Sequence, residues 1–150
     1  MGHNVSQKTI PLNITVLTVS DTRDESNDTS GQLLVDRLKE AGHNLSDKKI
    51  VIDDIYKIRA HLSRWIADDE THVVLITGGT GFTSRDSTPE AVMPILDKIV
   101  DGFGELFRHI SLNQIGTSTI QSRALAGMAN KTLIFCLPGS TNACRTAWDE

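Results

Sequence analysis

Short apolar runs alternate along this chain with amphipathic segments. Three runs rich in β-branched and aliphatic residues have the length of buried strands, and they occupy residues 14–19, 49–52 and 73–77. A polar loop, residues 20–29, follows the first run and carries four acidic side chains. The pattern predicts strands that are separated by helices.

Three helices are predicted between and after these strands. The first begins near Ser30 and ends before Gly42, a residue type that favours a left-handed C-terminal cap. The second follows Asp53 and Asp54, either of which could cap it. The third covers residues 91–100. Strand and helix alternation of this kind is typical of a parallel sheet with helices on both faces.

The last third of the chain predicts a different arrangement. A short helix is expected after residues 102–105. The apolar runs 124–129 and 133–137 flank an Asn-Lys pair and are expected to form a hairpin, and a closing helix begins near Thr141. The predicted fold is therefore a three-layer αβα, Rossmann-like domain with a mainly parallel twisted sheet and a late antiparallel hairpin.

Length and composition favour one domain and exclude several classes of protein. The chain has 150 residues, of which 39% are hydrophobic, and this is enough for a core without disulfides. We predict a flexible segment at residues 1–11 and a single domain at residues 12–150. No apolar run approaches the roughly 20 residues of a membrane span, and residues 1–11 show no leader pattern, so a cytoplasmic protein is expected.

Charge and cysteine content narrow the choice of partners. The formal net charge is −4, and the Lys and Arg residues are scattered, so nucleic acid is not an expected partner. Cys136 and Cys144 have neither a Cys-x-x-Cys spacing nor a nearby His, which favours buried thiols over a zinc site. The five His residues are dispersed.

The most informative motif follows the third strand and reads Thr77, Gly78, Gly79, Thr80, Gly81. Glycines permit positive φ and let backbone N–H groups approach an anion, and the threonines add hydroxyl donors. Ligands of open α/β sheets bind beyond the carboxyl ends of the strands, where this loop begins. The motif matches neither a Walker A loop nor the dinucleotide fingerprint. A tight turn without a ligand is the alternative interpretation.

Two aspartates follow neighbouring strands and could meet at this edge. Asp53 comes after the second strand and Asp86 after the glycines. Carboxylate oxygens suit Mg²⁺, which bridges nucleotide phosphates. Helix capping is the alternative for Asp53, whereas Ser87 and Thr88 already supply capping oxygens beside Asp86.

Polar residues also follow the first and last strands. Ser20 and Asp21 end the first strand, with loop and cap chemistry as an equally good interpretation. Pro138, Gly139 and Ser140 leave the last strand at the same edge, where a helix start could hold another phosphate. Residues and spacing alone thus predict a phosphate- or nucleotide-binding domain with a Mg²⁺ site. They do not identify the substrate.

Taken together, these motifs resemble the MoaB/Mog family of molybdenum cofactor biosynthesis proteins, and the MoaB branch in particular. The resemblance covers residues 12–150, and its Thr-Gly-Gly-Thr-Gly-x-x-x-x-Asp core is specific. The residues that carry it are 77–86, Ser20-Asp21, Asp28-x-Ser-Gly31, Gly102-Phe-Gly-Glu105, Ser122-Arg123 and Pro138-Gly139.

This resemblance implies an activity and its substrates. A phosphate oxygen of molybdopterin would attack the α-phosphorus of Mg-ATP, forming adenylyl-molybdopterin and releasing pyrophosphate. The glycine motif would hold the nucleotide phosphate, and Asp53 and Asp86 would bind Mg²⁺ and promote transfer. Ser111, Ser122 and Arg123 would hold the pterin phosphate. The resemblance also implies a homotrimer or a dimer of trimers.

The resemblance leaves rival functions open. Catalytic members usually have Asn before Leu-Pro-Gly, where this chain has Cys136. Some MoaB-like proteins are suspected of not catalysing adenylylation where the cell has a second, Mog-type protein, so a non-catalytic molybdopterin-binding or assembly protein of the same pathway is one alternative. A nucleotide-sensing domain that binds ATP but not pterin is another alternative. Competition binding would separate it from the adenylyltransferase and from the non-catalytic pterin-binding protein.

Overall fold

The computed structural model describes residues 8–150, so residues 1–7 of the predicted flexible segment lie outside the described part. Its six strands form one mixed sheet in the order β2-β1-β3-β6-β5-β4. The strands are β1 (Asn13–Val19), β2 (Asn44–Val51), β3 (Val73–Thr77), β4 (Lys98–Ile99), β5 (Leu125–Ala129) and β6 (Thr132–Leu137).

Helices cover both faces of this sheet. They are α1 (Thr29–Glu40), α2 (Ile55–Ala67), α3 (Thr88–Val92), α4 (Asp101–Ile115) and α5 (Thr141–Asp149), with 3-10 turns at Met93–Ile95 and Gly116–Gln121. Among the helices of residues 8–150, none combines the length and the apolar character that a bilayer crossing requires.

The core has two parts, one on each face of the sheet. Ile58, Leu62 and Trp65 of α2 pack with strand residues on one face, and Val92 of α3 joins them. On the other face, α1 and α5 pack against the opposite side of the same strands, with Phe103 of α4 beside them. Successive strand residues point to opposite faces, so the fully buried β3 contributes to both parts. The predicted three-layer αβα fold is confirmed.

Strand direction brings four loops to one edge. β2, β1, β3 and β6 are parallel, whereas β5 is antiparallel to both β6 and β4. The carboxyl ends of the four parallel strands therefore share an edge. The chain crosses from β1 to β2 on one side and then to β3 on the other, so a topological switch lies between β1 and β3, where ligands of such sheets bind.

The predicted helix over residues 91–100 is wrong beyond Val92. α3 ends there, and a 3-10 turn leads into β4, which pairs with β5. Pro94 explains the interruption, because it has no N–H to donate to the carbonyl oxygen of Glu90 one turn earlier; Met93 keeps helical φ and ψ, but as the first residue of the 3-10 turn.

Two further boundaries differ from the expectation. β2 begins at Asn44 and not at residue 49, because an edge strand can carry polar side chains outside the core. α4 begins at Asp101, before the glycines that were expected to precede it. Gly104 lies buried in this helix, where a Cβ would come within 2.7 Å of the Ala124 carbonyl oxygen. The glycine therefore permits close packing of the helix on the start of β5.

The late hairpin is confirmed. β5 and β6 pair in an antiparallel ladder around Asn130 and Lys131. Both turn residues have positive φ, +45° and +67°. This combination defines the mirror-image two-residue turn that matches strand twist.

Candidate active site

Residues 78–86, called here the glycine loop, leave the end of β3 between the ends of β1 and β6. Gly78 and Gly79 have φ of +104° and +68°, a region that favours glycine. The Gly78 amide donates to the Leu137 carbonyl oxygen at 2.9 Å, and a Cβ on Gly78 would collide with the Val19 carbonyl oxygen. The loop is thus held tightly against its neighbours on both sides.

Three successive amides of the glycine loop have no hydrogen-bond partner among the described residues. Within residues 8–150, the N–H groups of Gly79, Thr80 and Gly81 donate to no protein acceptor. Successive unpaired N–H groups in a turn with positive φ form a concave anion site. The interpretation of this segment as an anion cradle therefore has a physical basis beyond its glycine content.

Asp53 and Asp54 have separate roles. The Asp54 carboxylate caps α2 by accepting from the amides of Tyr56 and Lys57, both at 2.9 Å. Asp53 is buried and instead accepts from the amide and the hydroxyl of Ser87. Ser87 therefore does not cap α3 with its side chain, which corrects that expectation. The capping alternative for Asp53 is also wrong.

Asp86 faces the same part of the glycine loop. Its carboxylate accepts from the amide and hydroxyl of Thr83 at 2.9 and 2.7 Å, and a Cβ on Gly81 would lie 2.7 Å from it. A Cβ on Gly79 would likewise lie 2.7 Å from Asp53 Oδ2. Each carboxylate thus lies against a loop glycine.

Burial and neighbouring charges act on the Asp53 carboxylate. Burial raises the pKa of Asp53, and the negative charges of Asp86 and Asp21 raise it further against the hydrogen bonds from Ser87. A cation at this position would relieve the repulsion. The structure thus brings together the two residues predicted to bind a metal.

Asp21 belongs to this network, whereas Ser20 serves its own loop. Asp21 Oδ1 accepts from the Asp53 amide at 3.0 Å, and both Asp21 oxygens accept from Arg85 at 2.9 Å. The Arg85 guanidinium lowers the pKa of Asp21. Ser20 Oγ accepts from the amides of Thr22 and Arg23, which is turn chemistry.

Arg123 holds the glycine loop from the opposite side. Its guanidinium donates to the carbonyl oxygens of Gly81 at 2.7 Å and Asp86 at 3.0 Å, and it pairs with Glu90. The Arg123 pair lowers the pKa of Glu90. These bonds give the residue a structural task in addition to the phosphate contact expected of it.

Thr77 is not a ligand donor in this structure. It is fully buried, and its hydroxyl donates to the Pro138 carbonyl oxygen at 2.9 Å and contacts Cys144 Sγ at 3.1 Å. The predicted hydroxyl donor therefore fastens the ends of β3 and β6 from below. Burial raises the pKa of Cys144 to about 11.

A cavity of about 220 Å³ opens beside Thr80 and Gly81. Ser111 of α4, together with Ser122, lines it, and Ser122 Oγ is buried without a hydrogen-bond partner in the described residues. A buried hydroxyl of this kind calls for a ligand or water. The other predicted residues on the wall are Pro138 and Ser140.

Ser140 and Gly139 also have local partners. Ser140 Oγ caps α5 by accepting from the Ala143 amide at 3.1 Å. The Gly139 carbonyl oxygen accepts from Ser30 Oγ at 2.7 Å, and Gly139 itself is not on the cavity wall.

Cys136 does not face the cavity. It is fully buried in the core part that packs against α2 and α3, and burial raises its thiol pKa. Its replacement of Asn therefore acts, at most, through packing and not through direct contact with a ligand. Both cysteines are buried thiols, as predicted.

Asp28 is structural. Its carboxylate caps α1 through the Gly31 amide at 3.0 Å, accepts from Thr18 Oγ1 at 2.7 Å and pairs with Lys48. These bonds explain the family motif around Asp28 without a ligand.

Sequence reasoning missed several site residues. Arg85 was one, although three aspartates predicted at one edge require a nearby cation, and Arg85 directly precedes Asp86. Gln114 of α4 and Asn142 of α5 were others, since both line the cavity. Nothing in their local sequence distinguishes these amides from surface residues.

The described residues form an open α/β domain in which the glycine loop, the carboxylates of Asp53 and Asp86 and a cavity lie at one edge of the sheet. Residues 15–150 match the family described as "Probable molybdopterin binding domain". The chain belongs to this family.

Relatives and solved structures agree with that assignment. The chain is 59% identical to molybdenum cofactor biosynthesis protein B of Escherichia coli over 146 residues, covering 97% of this chain and 86% of that protein. The corresponding Bacillus cereus protein is 47% identical over 136 residues, covering 90% and 80%. A crystal structure of molybdenum cofactor biosynthesis protein B superposes with a TM-score of 0.92 at 45% identity, covering 96% of this chain and 90% of that chain. The tungsten cofactor synthesizing protein MoaB of Pyrococcus furiosus gives 0.84 at 36%, covering 95% and 91%.

Proposed function

We propose that this protein works in molybdenum cofactor biosynthesis and transfers the adenylyl group of Mg-ATP to molybdopterin. One observation supports this proposal above all. Asp53 and Asp86 lie against Gly79 and Gly81, next to the unpaired amides of the glycine loop and a cavity. The pathway follows from the names of the relatives, and the geometry supports the proposal that a phosphate and a cation bind here together.

The carboxylates fit Mg²⁺ that arrives with a nucleotide. Asp53 and Asp86 offer only oxygen ligands, as this hard ion prefers. Residues 8–150 contain no group of three or more His, Cys, Asp or Glu side chains that could hold a metal ion. Mg²⁺ is usually bound by one or two carboxylates together with substrate phosphates, so two are sufficient. When bound, the ion would neutralise charge on the phosphates.

The protein's own groups would act by positioning. The amides of Gly79, Thr80 and Gly81 would donate to a nucleotide phosphate. Ser111 and Ser122 would bind the pterin phosphate in the cavity, so that its oxygen faces the α-phosphorus. A P–O bond then forms there while the bond to the pyrophosphate oxygen breaks. Transfer of this type needs orientation and charge stabilisation more than covalent help.

The test is release of pyrophosphate from Mg-ATP that depends on added molybdopterin. We expect release by the unaltered protein and at least a 100-fold loss in Asp53→Asn and Asp86→Asn, with unchanged circular dichroism. Asp54→Asn is the matched control, because Asn caps a helix as well as Asp and the same charge is removed one residue away.

Three results would contradict the proposal. Full activity in Asp86→Asn would remove the carboxylates from the mechanism. Pterin binding without any pyrophosphate release by the unaltered protein would instead support the non-catalytic role, and ATP binding that pterin cannot influence would support a nucleotide sensor.

A further inference from the structure

Arg85 ties together the loops that follow three different strands. Its Nε and Nη2 atoms donate to the two carboxylate oxygens of Asp21, each at 2.9 Å, and Nη2 also donates to the Asp53 carbonyl oxygen at 3.1 Å. Asp21 follows β1, Asp53 follows β2, and Arg85 belongs to the glycine loop after β3. Since β1 lies between β2 and β3, the contacts of Arg85 extend across the carboxyl end of β1.

Arg85 and Asp21 hold the backbone of Asp53 on both sides. The Asp53 amide donates to Asp21 Oδ1 at 3.0 Å, and the Asp53 carbonyl oxygen accepts from Arg85. A planar guanidinium makes such a fork with fixed geometry, which a flexible ammonium cannot copy. The Asp53 side chain is fixed separately by Ser87. Main chain and side chain of this residue therefore have independent supports.

The same contacts determine which carboxylates are open to a cation. Asp21 lies close enough to Asp53 to raise its pKa, yet both Asp21 oxygens are bound by Arg85. Asp53 and Asp86 have no Arg or Lys partner among the described salt bridges. Arg85 thus pairs with the carboxylate of Asp21 and leaves the carboxylates of Asp53 and Asp86 without a cationic partner among the described salt bridges.

We infer that Arg85 is a positioning residue, which sets the place of the Asp53 carboxylate through Asp21 and the Asp53 peptide and does not itself contact the reacting phosphates. The inference rests on the proposed function for its effect on turnover. Residues that orient metal-binding side chains typically contribute 10–100-fold to metal affinity or activity.

The experiment compares Arg85→Met, Arg85→Lys and Asp21→Asn with the unaltered protein. Arg64→Met is the control, because Arg64 is an exposed arginine of α2. Three quantities are measured: kcat and KM for molybdopterin-dependent pyrophosphate release, Mn²⁺ affinity in the presence of α,β-methylene-ATP, and hydrogen exchange of the Asp53 amide.

We expect Arg85→Met to lower kcat and Mn²⁺ affinity about 10–100-fold, with the KM for ATP changed less than about threefold. The Asp53 amide should exchange faster, and Arg85→Lys should recover part of each loss. Because both residues act through one network, Asp21→Asn combined with Arg85→Met should be no worse than the more severe single variant. Arg64→Met should match the unaltered protein.

Three outcomes would overturn this role. A raised KM with unchanged kcat would indicate direct binding of nucleotide phosphate by Arg85. A lower melting temperature with unchanged kcat and Mn²⁺ affinity would indicate a merely structural bridge. Unchanged exchange at Asp53 would show that Arg85 does not hold this peptide. Mn²⁺ affinity and exchange need no turnover, so a failed adenylylation assay leaves this test intact.

Discussion

Gly79→Ala should damage both stability and the site, and Gly42→Ala isolates the reason. Both glycines have left-handed backbone, with φ of +68° at Gly79 and +87° at Gly42. A Cβ on Gly42 would meet nothing within 4 Å. A Cβ on Gly79 would lie 2.7 Å from Asp53 Oδ2 and would collide with the side chain of Thr88. The pair therefore separates backbone strain from crowding.

The expected magnitudes follow from these contacts. Left-handed backbone costs a residue with a Cβ about 1–2 kcal/mol, and both variants share this cost. Overpacking adds about 1–3 kcal/mol at Gly79, because Thr88 is fully buried and its hydroxyl is bonded to the Gly78 carbonyl oxygen. At this chain length 1 kcal/mol corresponds to about 2–4 °C in melting temperature, so the two variants should differ by about 2–12 °C.

Thermal unfolding followed by circular dichroism provides the assay, and pyrophosphate release is measured on the folded variants. Gly42 lies between α1 and β2, at the amino edge of the sheet, so Gly42→Ala should keep full activity. Gly79→Ala should lose activity as the Asp53 carboxylate moves. Equal melting temperatures for the two variants would refute the reasoning, because they would show that the Asp53 and Thr88 side chains yield without cost.

Two further predictions concern charge and assembly. Asp53→Asn should unfold at a higher temperature than the unaltered protein at pH 7, because burial and neighbouring charges disfavour the ionised carboxylate. This difference in melting temperature should shrink as the pH falls through the raised pKa of Asp53 and should level off below 3.8, whereas a constant difference from pH 7 to pH 3 would contradict the prediction. Light scattering should show the trimer or dimer of trimers that the family resemblance implies, and a clean monomer would exclude it. Met93 and Ile99, which are 45% and 48% exposed near β4, are apolar side chains that an interface between copies would bury.

The elements that the sequence predicts best are those whose ends coincide with a change in residue chemistry. β3 begins and ends at the predicted residues, because its five apolar or β-branched positions are followed directly by glycines. The hairpin turn at Asn130 and Lys131 was predicted equally well, because this polar pair separates two apolar runs. The helix after Ser87 was overextended, because Ala91 and Val92 fit a helical pattern while the pairing of β4 with β5 depends on residues far along the chain.

The sequence was enough to name candidate residues of the site, but not to predict the hydrogen-bond partners of those residues. The sequence places Asp53, Asp86 and the glycines at one edge, since parallel strands end there. It cannot decide between Asp53 and Asp54, because both are aspartates at a helix start. The decision depends on Ser87, which lies 34 residues away from Asp53 and binds it through two donors. Arg85 and Arg123 likewise find their partners across loops.

The parts of the site have complementary needs. The open amides of Gly79, Thr80 and Gly81 favour an anion, whereas the adjacent carboxylates of Asp53 and Asp86 disfavour one unless a cation accompanies it. A phosphate alone would satisfy the amides and increase the repulsion, and a metal ion alone would find too few ligands. A metal–nucleotide complex would satisfy both needs at once, and this is the physical reason why we propose Mg-ATP and not a free phosphate as the ligand at this edge.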